Sequence, residues 1–283
     1  MADKSTCSGA STCDRASCEG CPSAAAAGGN PFAAPMNQYS DIAHVIGIVS
    51  GKGGVGKSMV TASLANELAA AGYRVGILDA DITGPSIPRM YGLQGMAVMD
   101  ENGILPRLTD NDIKVISLNL LMQDPEAPVI WRGPVIANLV KQFWSDVIWG
   151  ELDYLLVDMP PGTGDVPLTV FQSLPVEGIF VVTSPQDLVR MIVTKACNMA
   201  KTMNIPVLGV IENYSYLICP DCGKKISVFG TSTLDETAKE MGLKVAGKMP
   251  VDPALNGASE AGAFASARNA YLEEGVAALR SLR

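Results

Sequence analysis

No apolar run in the 283-residue sequence approaches the roughly 20 residues that a membrane-spanning helix needs. The N-terminus also lacks the apolar stretch of a secretory signal. Together these absences lead us to expect a cytoplasmic protein that neither crosses nor enters a membrane. Basic residues are in short supply: 21 Lys and Arg stand against 29 Asp and Glu, giving a formal net charge of −8 and a pI near 4.7. A nucleic-acid or anionic-lipid partner needs clustered positive charge, so neither is expected. Histidine occurs once, at His44, ahead of the first core strand, where it reads as a solvated or capping residue.

The chain does hold seven cysteines. Cytosolic thiols are kept reduced, so their grouping points to metal rather than disulfides. Cys7, Cys13, Cys18 and Cys21 lie at the start, Cys219 and Cys222 form a Cys-x-x-Cys pair, and Cys197 stands alone in a predicted helix, where it reads as packing.

Residues 1–40 are rich in Ser, Ala, Gly and Pro without periodicity, which predicts a flexible, metal-binding tail. From 41 to 283 the pattern changes to short β-branched runs (VIGIVS, RVGIL, KVISL, YLLVD, GIFVV, VLGVI) alternating with helical segments. Continuously apolar strands separated by helices predict a doubly wound α/β domain with a mostly parallel sheet. Val60, Leu64 and Leu68 share one face of a helix predicted over 58–71, stopped by Gly72. Thr233 and Glu236 have capping-box spacing for a second helix, which Gly242 closes.

Between the first strand and the first helix stands Gly51-Lys52-Gly53-Gly54-Val55-Gly56-Lys57-Ser58. That context and spacing define a phosphate-binding loop. Its glycines let backbone N–H groups face phosphate oxygens, and the helix N-terminus adds a favourable dipole. Lys57 is placed to reach the β- and γ-phosphates and Ser58 to ligate Mg²⁺. Asp79 and Asp81 follow RVGIL, and Asp158 ends YLLVD, so all three carboxylates fall at strand C-termini, where such sheets bind ligands. Asp158 is expected to hold Mg²⁺, and the Pro-Gly segment after it to act as a switch loop. The guanine-reading pattern has its nearest approach at Thr194–Cys197, which lacks the acidic residue, so ATP is favoured over GTP.

A lysine at position 52 is unusual for a phosphate loop, and the KGGVGKS run resembles the deviant Walker A motif of the MinD, ParA, arsenite-pump and nitrogenase-iron-protein ATPases. That resemblance implies a homodimer in which Lys52 acts across the interface on the partner's nucleotide. It also implies that Asp81 orients the attacking water, that Asn213 contacts adenine, and that Pro250 and Asp252 flank the base.

The pair Cys219-Pro-Asp-Cys222-Gly is half of a four-thiolate site, and a two-fold dimer would complete it. Four thiolates suit Zn²⁺ and an iron–sulfur cluster alike. KGGVGKS, DADITGPS, Trp131-Arg-Gly-Pro134, DMPPGTGD and the cysteine pair together resemble the Mrp (ApbC) family of iron–sulfur cluster carrier ATPases, over Val45 to the C-terminus. The resemblance implies a labile 4Fe-4S cluster held by Cys219 and Cys222 of both subunits and passed to apo iron–sulfur proteins, with slow ATP hydrolysis. The N-terminal cysteines resemble the cluster motif of the family's eukaryotic cytosolic scaffolds, with the gaps in a different order. They could hold a second 4Fe-4S cluster or simply form a redox-sensitive tail. A MinD- or ParA-like positioning ATPase with a structural zinc is the competing reading. The C-terminal YLEEGVAALRSLR, with two arginines beside two glutamates, is a poor membrane helix and disfavours it.

Overall fold

The computed structural model describes residues 33–282, apart from 82, 83, 85, 122–132, 163 and 186–188. Twelve strands form in the described residues: β1 (Asp41–Ser50), β2 (Val75–Asp79), β3 (Val98–Asp100), β4 (Gly103–Leu105), β5 (Arg107–Leu108), β6 (Lys114–Ser117), β7 (Glu151–Asp158), β8 (Gly178–Thr183), β9 (Val207–Glu212), β10 (Leu217–Ile218), β11 (Lys225–Ile226) and β12 (Val245–Lys248). Eight of them make one sheet in the order β12-β9-β8-β1-β7-β2-β6-β5. All pairings are parallel except that of the short edge strand β5 with β6. β2 and β8 are buried along their whole length, and β1, β7 and β9 toward their C-terminal ends, as expected when helices cover both faces. In chain order the helices are α1 (Lys57–Ala70), α2 (Ile87–Met90), α3 (Gly133–Ser145), α4 (Asp165–Ser173), α5 (Val189–Thr202), α6 (Leu234–Met241), α7 (Pro253–Glu260) and α8 (Glu273–Arg280).

Helix α1 buries more than the predicted stripe. Val60, Leu64 and Leu68 are fully buried, but so are Thr61 and Ala65, and Ser63 and Asn66 nearly so. It lies against the sheet on one side and contacts α2, α8 and the segment 264–266 on others. Gly72, at φ 90°, ends it as the sequence predicts.

Four expectations are corrected. His44 lies inside β1, stacked on Tyr154 with ring centroids 5.3 Å apart and bonded to Glu177 at 2.8 Å, because the strand begins at Asp41 rather than Val45. Thr233 precedes α6 without a side-chain cap; Ser232 Oγ accepts the Leu234 N–H instead. Strand β12 and the hairpins β3–β4 and β10–β11, too short to show a period, were not expected. Part of the segment assigned to the tail is anchored on the domain. There Trp144 Nε1 donates to the Ala34 carbonyl at 3.1 Å, and Ser40 Oγ to that of Val147.

Candidate nucleotide site and cysteine hairpin

The sheet order puts β1 between β7 and β8, so the phosphate loop leaves the middle of the sheet's C-terminal edge. Gly54 and Gly56 adopt φ of 80° and 76°, the left-handed region that a side chain disfavours. A Cβ on Gly56 would also lie 2.1 Å from Asn213 Nδ2. Ser50 Oγ donates to the Lys52 carbonyl at 2.9 Å, and the Gly162 N–H to that of Ser50 at 2.8 Å, tying the segment after β7 to the loop.

Lys57 is 6% exposed, with Nζ 2.8 Å from Asp158 Oδ1 and 3.8 Å from Asp81 Oδ2. The contact with Asp158 lies off the hydrogen-bond direction, so this buried ammonium is held by charge with its donors unspent. A polyanion at the loop would satisfy them, which is the fit expected of a phosphate site. Asp158 is fully buried; Ser58 Oγ donates to its Oδ2 at 2.5 Å and Thr61 Oγ1 to its Oδ1 at 2.7 Å. A hydroxyl beside a buried carboxylate at the head of a phosphate loop suits Mg²⁺, which binds through one or two such groups.

Parallel pairing of β2 and β7 sets Asp79 opposite Asp158. Asp79 is 1% exposed; its Oδ1 accepts the Asp81 N–H at 3.2 Å and its Oδ2 meets no partner. Burial first, then the charges of Asp158 and Asp81, push its carboxyl well above the usual range, with Lys57 opposing. A carboxyl raised on folding stabilises the native state fully below its unfolded value, near 4, and that contribution is lost as pH rises through the folded value. The unliganded protein should therefore lose stability from this group as pH rises from roughly 4 to the folded value, and no further beyond it. Asp79→Asn should flatten that slope in urea unfolding followed over pH; parallel curves for variant and wild type would mean Asp79 stays ionised.

A cavity of about 280 Å³ opens over the loop, lined among others by Lys52, Gly53, Lys57, Asp81, Pro161 and Tyr214. Lys52 is exposed where Lys57 is buried. Asn213 is fully buried and does not line the cavity: its Nδ2 donates to the Val55 carbonyl at 3.1 Å and its Oδ1 accepts the Tyr214 N–H at 2.9 Å. It braces the loop from behind. Tyr214, whose φ of 58° is rare for an aromatic residue, is the neighbour that faces the cavity. Asp252 caps α7, accepting from Ala254 N–H at 2.8 Å and Leu255 N–H at 3.4 Å. Neither it nor Pro250 lines the cavity. Sequence reasoning missed Thr61 and Tyr214. Thr61 stands one helical turn beyond Lys57, but its partner Asp158 is 97 residues away in sequence; Tyr214 matched no motif.

Cys219 and Cys222 sit in the turn of the β10–β11 hairpin. The Cys219 N–H donates to the Lys224 carbonyl and the Gly223 N–H to that of Cys219, both at 2.9 Å, with Gly223 at φ 70° closing the turn. The backbone N–H groups of Cys222 and Asp221, with help from the Cys222 thiol, hold the Cys219 thiol below its ordinary value. A turn that favours thiolate is suited to a metal or cluster. Ile218, Ile226, Val228 and Phe229 are exposed around it. Among the described residues, no third Cys, His, Asp or Glu joins the pair. Cys197 is half-buried against the core, and burial pushes its thiol up. Cys7, Cys13, Cys18 and Cys21 lie outside the described residues, as do Trp131 and Arg132.

A phosphate loop at the C-terminal edge of a parallel sheet, with a buried lysine and a hydroxyl-bound aspartate, defines a P-loop nucleotide-binding protein. A family model described as "ParA: NUBPL iron-transfer P-loop NTPase" matches residues 41–280, and the chain belongs to that family. It is similar to an iron-sulfur cluster carrier protein of Clostridium perfringens, 47% identical over 86% of this chain and 89% of that one. Another carrier so named, from Methanocaldococcus jannaschii, is 48% identical over 79% and 78%. Among solved structures, a nucleotide-binding protein of Archaeoglobus fulgidus in complex with ADP superposes with a TM-score of 0.74 at 41% identity, covering 82% of this chain and 91% of that one. The cell division ATPase MinD of Pyrococcus furiosus, at 20% identity and a TM-score of 0.55 over 84% and 97%, shares the fold.

Proposed function

We propose that this protein is a cytoplasmic, homodimeric ATPase that carries a 4Fe-4S cluster on Cys219 and Cys222 of both subunits and delivers it to apo iron–sulfur proteins. The observation that carries the reading is the course of the chain after β9. Asn213 braces the phosphate loop, Tyr214 lines the nucleotide cavity, and the hairpin bearing the two cysteines follows at once. A change in the loop on nucleotide binding or hydrolysis has a short covalent route to the cluster ligands, so the two events can bias one another.

In this reading Lys57 and the backbone N–H groups of 51–56 hold the phosphates, and Ser58 and Asp158 hold Mg²⁺, which supplies charge neutralisation at the phosphates. Asp81 orients water. Lys52, exposed at the rim, stabilises the transferring phosphoryl group of the partner subunit. Asn213 acts on the base through Tyr214, and the Pro250–Asp252 turn borders the nucleotide only if α7 moves toward it. The exposed apolar residues beside the cysteines support burial of this hairpin against a second copy. Zinc on the same four thiolates, in a MinD-like positioning ATPase, is the reading to be eliminated.

Anaerobic reconstitution with iron and sulfide should give about four iron and four sulfide per dimer in a chain whose Cys7, Cys13, Cys18 and Cys21 are replaced by alanine. Additional iron and sulfide in the unaltered chain would place a second cluster on those residues. Zinc without sulfide in the quadruple variant would make the Cys219 site structural and defeat the carrier assignment.

A further inference from the structure

Asp158 is fully buried and has three partners: Ser58 Oγ on Oδ2 at 2.5 Å, and on Oδ1 both Thr61 Oγ1 at 2.7 Å and Lys57 Nζ at 2.8 Å. Two of the three are needed elsewhere once nucleotide binds, since the ammonium of Lys57 serves phosphate and the hydroxyl of Ser58 serves the metal. Both of those residues line the cavity; Thr61 does not and is fully buried. Its Oγ1 also lies 3.1 Å from the Lys57 carbonyl. One hydroxyl has one proton, and the shorter contact to a charged acceptor takes it.

We infer that Thr61 is a positioning residue that pins Oδ1 of Asp158, so that Oδ2, on the Ser58 side, is the oxygen turned to the metal. The inference rests on the magnesium role proposed for Ser58 and Asp158. A buried carboxylate stripped of every donor is free to swing, which would spoil a site that needs its oxygen held in one place. Thr61 is the donor that stays. It stands on α1 one turn beyond Lys57, in the helix that begins at the loop, and so ties the carboxylate to the phosphate loop.

The test measures ADP affinity by calorimetry, with and without magnesium chloride, for wild type, Thr61→Val and Thr61→Ser. Magnesium should tighten ADP binding to wild type. Thr61→Val should lose about tenfold or more of that tightening, as outer-shell partners of metal ligands do, with magnesium-free affinity unchanged, and Thr61→Ser should restore it. Melting of each unliganded variant checks folding, and Thr61→Ala replaces the valine variant should that one fail to fold. Full magnesium tightening in Thr61→Val, or its loss in Thr61→Ser as well, would overturn the positioning role while leaving Mg²⁺ on Ser58 and Asp158. No magnesium effect in wild type would overturn the magnesium role, and this inference with it.

Discussion

Lys57→Met should bind neither ADP nor ATP at concentrations that saturate wild type. The ammonium is the cation buried at the head of the loop, 2.8 Å from Asp158 and with its donors unspent. Each hydrogen bond it gives a phosphate oxygen is charge-assisted, about 1.5–3 kcal/mol. Two such contacts make a loss of at least about a hundredfold in affinity. Methionine keeps most of the unbranched side chain and removes the charge, so the loop glycines and the bracing by Asn213 remain. The same substitution acts on the unliganded fold. It leaves Asp158 and Asp79, both buried, without the cation between them, and breaking a buried pair from one side costs about 3–5 kcal/mol. The melting temperature should fall, and fall least at acid pH, where the raised carboxyl of Asp79 is neutral. Calorimetry with ADP and thermal melting across pH check both halves. Lys52→Ala is the control: it lies at the exposed rim, so ADP affinity should be retained while turnover drops by two orders of magnitude or more, as loss of a finger-type cation does. ADP binding by Lys57→Met at wild-type strength would mean the loop is not the phosphate site.

The parts of this molecule visible in its sequence are those where chemistry and local geometry demand the same residues. Six interior strands and the phosphate loop could be placed because apolar runs and the glycines at 54 and 56 have no other economical reading. Asp158 was legible as the end of YLLVD. What the sequence hid depends on contacts between distant segments. Thr61 gains its meaning from an aspartate 97 residues away, and no spacing rule links them. Asn213 matches a motif by position, yet tertiary packing turns its amide onto Val55. His44 looked like a surface residue ahead of a strand; register with β7 brings Tyr154 beneath its ring. Ser232 displaced Thr233 as the cap of α6 because its hydroxyl also serves the buried Glu212, donating to Oε1 at 2.7 Å. The two-residue strands of the cysteine hairpin carry too little pattern to announce themselves.

If the proposed dimer shares one cluster, Cys219→Ala and Cys222→Ala should each remove the whole of it, not half. If two subunits share four thiolates, one substitution per chain deletes two ligands at a stroke, and the remaining pair cannot hold a cuboidal cluster. Iron and sulfide counts in chains already lacking the N-terminal cysteines should fall to background for either variant, with loss of the visible absorption. ADP affinity should stay within about twofold of wild type, since neither side chain lines the nucleotide cavity and the hairpin's backbone bonds run within itself. The two variants should differ before reconstitution. Cys219 is the thiol whose ionisation the turn favours through the N–H groups of Cys222 and Asp221, so alkylation of Cys222→Ala, which keeps that thiol, should set in at lower pH than alkylation of Cys219→Ala. A difference in thiol reactivity alongside equal loss of cluster separates ligand number from thiolate supply. If instead one variant retained half the iron, the pairs would act independently in each subunit, and the shared site between two copies would have to be abandoned.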